Sequence, residues 1–149
     1  MNKDSRQSAI GNRLMTIDYR LGRRMKTIIR EERIKKEGSP YFTYTLPSIS
    51  AGEYHSLVVG DDIPQSRKYL PLDFIEVTNN DSVSIEFQIN EGDTFLVPAG
   101  IIKTVTERPI RRIRVKNKDG TTATIEGKIV LLLQAMPITA DKFVRRFKL

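Results

Sequence analysis

The sequence predicts a mainly β fold, an antiparallel β-sandwich of the jelly-roll type, preceded by a long basic amphipathic N-terminal α-helix. Aliphatic residues recur at the helical period within the first 37 residues, and short alternating segments separated by turn residues follow them. No helical crossover lies between those segments, which favours antiparallel pairing of the strands. The 149 residues are enough for one domain with a sizeable core.

The first predicted element is a helix over residues 8–36. Six apolar residues, separated by 4, 3, 4, 4 and 3 positions, share one stripe along it: Ile10, Leu14, Ile17, Leu21, Met25 and Ile28. Gly38 followed by Pro40 is a typical stop signal. A helix of this length extends about 43 Å, which is more than the width of the remaining domain. We therefore expect it to project beyond that domain and to need another surface over its stripe.

Eight short strands are predicted after residue 40, at a spacing that is typical of a two-sheet sandwich. Alternation over residues 82–89 is typical of a half-buried strand, and its predicted inward residues are Val83, Ile85, Phe87 and Ile89. In the same way, Ile113 and Val115 are predicted to be inward. The last strand is expected to bury one face from Ala123 to Leu133, after a hairpin turn at Lys118-Asp119-Gly120. The predicted strands are 41–46, 52–59, 72–78, 82–89, 94–97, 101–106, 110–116 and 121–133.

These elements divide the chain into a helical arm (residues 1–38), a β-sandwich domain (39–138) and a basic C-terminal tail (139–149). The net charge of +7 is spread unevenly among them. Residues 1–37 carry 11 basic and 5 acidic side chains, and residues 141–149 carry 4 basic and 1 acidic. The middle of the chain is nearly neutral, so the two ends are expected either to meet an anionic surface or to be simply solvated.

Basic side chains on the helix and on one strand are the predicted anion contacts. They are Arg13, Arg20, Arg23, Arg24, Arg30, Arg112, Arg114 and Lys116. No stacking aromatic residues are interleaved with the helical ones, which favours contact with a phosphate backbone or anionic lipid over base reading. On the strand, the same charges serve equally well to protect a sheet edge against aggregation.

Composition excludes several kinds of catalytic site. The chain has no cysteine, so thiol nucleophiles and Cys-zinc sites are excluded, and His55 is the only histidine. Its neighbours Tyr54 and Ser56 lie next to it on a predicted strand, where adjacent side chains point to alternate faces and do not converge into a triad. We therefore expect no enzyme activity, no cofactor, no metal and no small-molecule substrate.

Residues 91–100 read Glu-Gly-Asp-Thr-Phe-Leu-Val-Pro-Ala-Gly and resemble part of the second sequence motif of the cupin family. In that family a Pro-x-Gly turn leads to a metal-binding histidine, and the matching position here is Lys103. A protonated lysine has no lone pair to give a metal, and the first cupin motif has no counterpart in this chain. The resemblance implies a small antiparallel barrel without the family's metal site.

Three further stretches are Ile-Glu-Val-Thr-Asn-Asn-Asp at 75–81, Val-Pro-Ala-Gly at 97–100 and Ile-Arg-Val-Lys-Asn at 113–117. Together they resemble the small β-sandwich structural proteins of viruses and phages, in which strands ending in Thr-Asn recur with a Val-Pro-Ala-Gly corner between them. The resemblance implies a non-enzymatic virion component, a capsid, vertex or accessory protein, which forms a homo-oligomer and contacts other virion proteins. Assembly would cover the apolar stripe that a lone domain leaves exposed.

No apolar run of about 20 residues and no signal-peptide h-region is present, so we expect a virion protein assembled in the host cytoplasm. Two alternatives stay open. One is a carbohydrate- or nucleic-acid-binding β-sandwich module, which predicts a concave face built from aromatic residues, and the other is a metal-free cupin-like protein. The candidate aromatic residues are Tyr41, Phe42, Tyr44, Tyr54 and Tyr69.

Overall fold

The computed structural model describes residue 22 and residues 24–136, in which a helix is followed by eight strands. The helix α1 runs through residues 24–37, and a short helix α2 (Val59–Asp62) and a 3-10 helix (Pro64–Tyr69) lie between the second and third strands. The strands are β1 Tyr41–Thr45, β2 Tyr54–Val58, β3 Leu72–Asn79, β4 Ile85–Ile89, β5 Thr94–Val97, β6 Ile102–Ile110, β7 Arg112–Asn117 and β8 Ile129–Gln134.

The strands form two four-stranded antiparallel sheets. Sheet A has the order β1-β8-β3-β6, and sheet B has the order β2-β7-β4-β5. Six of the seven connections between consecutive strands pass from one sheet to the other, and the β4–β5 hairpin stays within sheet B. Side chains of both sheets share one hydrophobic core, so the fold is sandwich-like. The predicted mainly β, antiparallel class is confirmed.

Alternating side chains supply this core from both sheets. Ile75 of β3 and Leu131 of β8 are fully buried from sheet A, and Phe87 of β4 and Val115 of β7 are fully buried from sheet B. Because side chains alternate along a strand, this arrangement directs a second set of residues outward from each sheet. The inward residues predicted for 82–89, together with Ile113 and Val115, are confirmed.

Two buried asparagines hold the loops that follow β3 and β7. The amide nitrogen Nδ2 of Asn79, the last residue of β3, donates to the carbonyls of Val83 and Val97 at 2.9 and 3.0 Å. Its Oδ1 accepts the backbone N–H of Asp81 at 3.0 Å. The side chain therefore bonds backbone groups just before β4 and at the end of β5, which lie together at the open end of the β4–β5 hairpin.

Asn117, the last residue of β7, has the same role. Its Nδ2 donates to the carbonyls of Ile49 and Thr122 at 3.1 and 2.8 Å, and its Oδ1 accepts the N–H of Asp119 at 2.9 Å. Both exits have the sequence Val-x-Asn-x-Asp, at residues 77–81 and 115–119. This repeated motif was missed by the sequence analysis, and only the shared hydrogen-bond pattern shows its purpose.

The predicted last strand and the turn before it are wrong in part. β8 begins at Ile129, and residues 118–128 cross from sheet B to sheet A instead of forming a hairpin. The Asp119 carboxylate accepts the backbone N–H groups of Thr121 and Thr122, which holds the pKa of that carboxyl below its ordinary value. The N–H groups of Thr121 and Thr122 therefore cannot also form the hydrogen bonds of a β ladder. Ala123 and Ile125, which were expected to be inward, are exposed.

The helix ends where the sequence predicts, but its last turns pack against the sheets. Gly38 has φ +88 and donates its N–H to the carbonyl of Ile34 at 2.8 Å, which is a left-handed C-terminal cap. Ile34 belongs to the hydrophobic core, so this part of the helix is covered by its own domain and does not project from it. Residues 8–21 of the predicted helix and the predicted tail 139–149 lie outside the described residues.

We expect Asn79→Ala to lower the free energy of unfolding by about 2–4 kcal/mol, because buried carbonyls and an amide lose their partner. The exposed neighbour Asn80 supplies a matched control, and Asn80→Ala is expected to change stability by less than about 0.5 kcal/mol. Urea unfolding followed by circular dichroism measures both values. Equal losses in the two variants would show that the Asn79 side chain does not hold the loops.

Candidate assembly and anion-contact surfaces

Arg30 anchors α1 to the rest of the chain. Its side chain is only 2% exposed, although arginine is rarely buried without partners. Nε donates to the carbonyl of Tyr69 at 2.8 Å, and Nη2 donates to the carbonyls of Pro71 and Met136 at 2.9 and 3.2 Å. One planar guanidinium therefore joins the helix to the segment before β3 and to the segment after β8.

Two carboxylates balance the charge of this buried guanidinium. Nη1 lies 2.7 Å from Oε1 of Glu31, and Nη2 lies 3.6 Å from Oδ1 of Asp73. The same Asp73 oxygen accepts the N–H of Met136 at 2.7 Å. We call Arg30, Glu31, Asp73 and the three carbonyls the Arg30 clamp. The prediction that Arg30 contacts an external anion is wrong, because its donors are used inside the chain.

The 3-10 helix adds further contacts to the same face of α1. Arg33 Nη1 donates to the carbonyl of Lys68 at 3.1 Å. The Tyr69 hydroxyl donates to the carboxylate of Glu37, and this hydrogen bond raises the pKa of Tyr69 above its ordinary value. Contacts from Arg30 to Glu37 thus fix two turns of the helix against Pro64–Tyr69.

The helix packs on the domain through the face that includes Arg30, so its apolar face points away from the domain. Arg30 and Ile34, one turn apart, are buried, whereas Met25, Ile28 and Ile29 are 61, 50 and 51% exposed. At about 100° per residue, Met25 and Ile28 lie on the side of the helix opposite to the buried pair. Met25 and Ile28, the two described members of the predicted stripe, are therefore not covered by any other described part of the chain. Its other members, Ile10, Leu14, Ile17 and Leu21, lie outside them.

A second surface is the outer face of sheet B, where the predicted strand contacts are found together. Arg112, Arg114 and Lys116 alternate with buried residues along β7 and are exposed, as predicted. β7 is flanked by β2 and β4, so it is an inner strand of the sheet. Protection of a sheet edge, the alternative explanation of these charges, is therefore wrong. We call these three residues the β7 basic row.

The neighbours of the β7 basic row leave parts of it accessible to an anion. The guanidinium of Arg114 lies 3.7 Å from the ring centroid of Tyr54 on β2, a cation–π contact between neighbouring strands. Arg112 Nη1 is 3.4 Å from the exposed Glu91 carboxylate, a pair that water screens strongly. A cavity of about 260 Å³ opens beside Arg114 and Lys116, and its lining includes the neutral Gln88 and Thr94 and the acidic Glu86.

The remaining predicted anion contacts are only partly described. Arg24 is half-buried at the start of the described part of α1, and Arg13, Arg20 and Arg23 lie outside the described residues. Of the described members of the predicted set, Arg112, Arg114 and Lys116 form one exposed row, whereas Arg30 is buried in the Arg30 clamp.

His55 is hydrogen-bonded to Tyr44 and so connects the edge strands β2 and β1. Its Nε2 lies 3.1 Å from the Tyr44 hydroxyl, and the two rings are stacked with centroids 6.1 Å apart. Burial, with a smaller contribution from the Asp62 carboxylate, raises the pKa of Tyr44 above its ordinary value. Tyr44 is thus neutral at physiological pH and serves as a hydrogen-bonding link between the two sheets.

The cupin-like corner has the turn geometry that its sequence predicts. Gly100 has φ +76 after Pro98, which is the corner geometry that its sequence predicts, and Lys103 is exposed on the edge strand β6. Within the described residues, no three or more histidine, aspartate or glutamate side chains come together in a way that could hold a metal ion.

The candidate aromatic residues do not form one binding face. Tyr41 is exposed on sheet A and Tyr54 is exposed on sheet B, so the two rings lie on separate outer faces. Phe42, Tyr44 and Tyr69 pack against the core instead.

Comparison with known proteins does not place the chain in a family, because no protein-family model and no curated protein matches the sequence. In residue 22 and residues 24–136, no helix has both the length and the apolar character needed to cross a bilayer.

We expect Arg30→Met to release α1 from the sheets and to cost about 3–5 kcal/mol, because three carbonyls and the Asp73 carboxylate lose the guanidinium. Amide hydrogen exchange should become faster in residues 24–37, while the relative protection of the eight strands stays the same. Lys36→Met, at an exposed position of the same helix, is the control and should leave the exchange unchanged. Unaltered exchange of α1 in Arg30→Met would contradict the clamp.

We expect the triple variant Arg112→Gln/Arg114→Gln/Lys116→Gln to bind single-stranded DNA more weakly than the wild type at low salt. The slope of log affinity against log salt should fall by about 2, at about 0.7 per phosphate contact. Fluorescence anisotropy of a labelled oligonucleotide measures it. Lys26→Gln/Lys103→Gln/Lys128→Gln removes the same charge from exposed positions elsewhere, and an equal loss in this control would refute a site on β7.

Proposed function

We propose that this chain is a non-enzymatic structural protein of a virus or phage particle, a capsid, vertex or accessory protein that self-assembles through its jelly-roll sandwich and its N-terminal helix. Its partners are further copies of itself and other virion proteins, and its place is the virion, assembled in the host cytoplasm. The basic helical arm and the β7 basic row are its contacts with phosphate or anionic lipid.

The strand order supports the jelly-roll assignment. Pairing joins β1 with β8, β2 with β7, β3 with β6 and β4 with β5. One long antiparallel hairpin of four such pairs, rolled over itself, gives the two sheet orders and the repeated crossing between sheets. Jelly rolls occur in viral capsid proteins, lectins and cupins, so the fold favours this group of functions without choosing among them.

Among these functions, the orientation of α1 favours that of an assembly protein. The Arg30 clamp fixes the helix to its domain through one face, and Met25, Ile28 and Ile29 are held outward on the other. Apolar side chains at the same spacing continue upstream to Ile10. A rigidly held apolar surface of this kind is stabilised when another molecule covers it. A shell, in which every copy has neighbours, provides that cover.

The two alternatives have less support. A carbohydrate- or nucleic-acid-binding module with a concave aromatic face needs its aromatic residues together, and the exposed Tyr41 and Tyr54 lie on different sheets. A cupin-like protein without metal would share the fold, but it offers no reason for a clamped helix with an outward apolar face. The β7 basic row favours contact with phosphate groups, and this contact fits a shell that faces nucleic acid.

We expect the wild type to form oligomers in analytical ultracentrifugation, and Met25→Gln/Ile28→Gln to weaken their association at least tenfold. Removing two large apolar side chains from an interface costs about 3 kcal/mol or more in total. Lys26→Gln/Lys128→Gln alters two exposed residues away from the stripe, and its assembly should equal that of the wild type. A wild type that stays monomeric at high concentration would refute the proposed function.

A further inference from the structure

The outer face of sheet A differs sharply from the outer face of sheet B in charge. The strand register places twelve outward residues in three rows of four across β1, β8, β3 and β6. Glu76 is the single charged residue among them, whereas four of the ten equivalent residues on sheet B are charged. The twelve are Tyr41, Gln134, Phe74, Thr106, Thr43, Leu132, Glu76, Thr104, Thr45, Val130, Thr78 and Ile102.

Apolar and β-branched side chains make up most of this face. Tyr41 and Ile102, on its two edge strands, are 66 and 58% exposed. Phe74, Val130 and Leu132 lie between them on the central strands and are half-buried, outside the residues that pack against the core. Five threonines add methyl groups to the same surface. Sheets that face water on one side normally alternate apolar and polar residues, so this outward face is unusually poor in charge.

We propose that residues 8–21 of a second copy of this chain lie across the outer face of sheet A. The occupant is the upstream part of the predicted stripe, with Ile10, Leu14 and Ile17 against the sheet. This proposal rests on the proposed function, because it names the surface that covers the stripe in the assembled particle.

Size and charge of the two surfaces are complementary. A helix of 14 residues is about 21 Å long, and four strands spaced about 4.8 Å apart form a face about 19 Å wide. Arg13 and Arg20 are two helical turns apart beside the predicted stripe, and they are the basic partners available to Glu76. The one charged residue of the face is thus matched by a flanking charge of the occupant.

The continuity of the stripe argues that the occupant comes from another copy. The spacing of 4, 3, 4, 4 and 3 residues from Ile10 to Ile28 has no break, and Gly22 and residues 24–37 are helical. The Arg30 clamp holds the downstream end at its own domain. A helix that continued upstream with this period could not reverse direction to reach the sheet of its own chain, whereas it could reach a neighbour.

Disulfide trapping tests this placement directly, since the chain has no cysteine of its own. Leu14→Cys is combined with Thr43→Cys on sheet A, and in a control with Ser56→Cys, which is exposed on sheet B. Each double variant is assembled from a mixture of ¹⁴N- and ¹⁵N-labelled chains and oxidised mildly. We expect the disulfide-linked peptide pair that joins positions 14 and 43, with mixed isotope labels, to be several times more abundant than the pair that joins positions 14 and 56.

The outcomes separate this inference from the proposed function. Assembly without the mixed-label pair of positions 14 and 43, or with a pair labelled from one chain only, overturns the inference and leaves the function standing. Failure of the unaltered chain to assemble overturns both.

A charge exchange gives a second readout that does not depend on cysteine chemistry. Glu76→Lys should weaken assembly about tenfold or more through like-charge contact with Arg13, and adding Arg13→Glu should restore most of it. Gln88→Lys, on the outer face of sheet B, should have little effect. Weakening without recovery in the double variant would contradict the pairing.

Discussion

The buried guanidinium of Arg30 is the interaction on which the arrangement of this molecule depends. It binds three backbone carbonyls from two separate segments and lies beside the carboxylates of Glu31 and Asp73. Removing such a charge from water is costly, and the cost is offset only when its hydrogen bonds are complete. Arginine satisfies this condition with one planar group, whereas lysine has a single point charge and fewer donors. The clamp therefore determines which face of α1 meets the domain.

Much of the assembly proposal follows from that orientation. Once Arg30 and Ile34 face the sheets, helical geometry directs Met25 and Ile28 outward, and the exposed fractions agree with this. The sheets contribute two outer faces of different character, one with the β7 basic row and one with a single charge. The outward apolar side chains of α1, the charge-poor face of sheet A and the basic face of sheet B are therefore separate surfaces for the proposed contacts with copies of the chain and with phosphate groups.

Local patterns predicted the sheets well, because alternation and turn residues act over a few positions. The strand at 94–97 and the inward residues of β4 and β7 are confirmed for this reason. The alternation pattern failed where a side chain binds backbone groups. Ala123 and Ile125 continue the alternation, but the Asp119 carboxylate accepts the N–H groups at the start of this segment, and residues 121–128 form a loop. The Arg30 clamp was missed because a buried arginine looks like any surface arginine in a sequence. Its partners Tyr69, Asp73 and Met136 are far away along the chain, and only the spacing of Arg30 and Ile34 hints at a second helix face.

The most direct test of this account is the distance between α1 and sheet B in solution. Spin labels at Lys26→Cys and Ser56→Cys, both exposed positions, report it by pulsed electron paramagnetic resonance after dilution with unlabelled chains. A clamped helix gives one narrow distance distribution, and Arg30→Met broadens it. A distribution that is already broad in the otherwise unaltered protein, and that Arg30→Met does not change, would contradict the claim that Arg30 sets the direction of the helix.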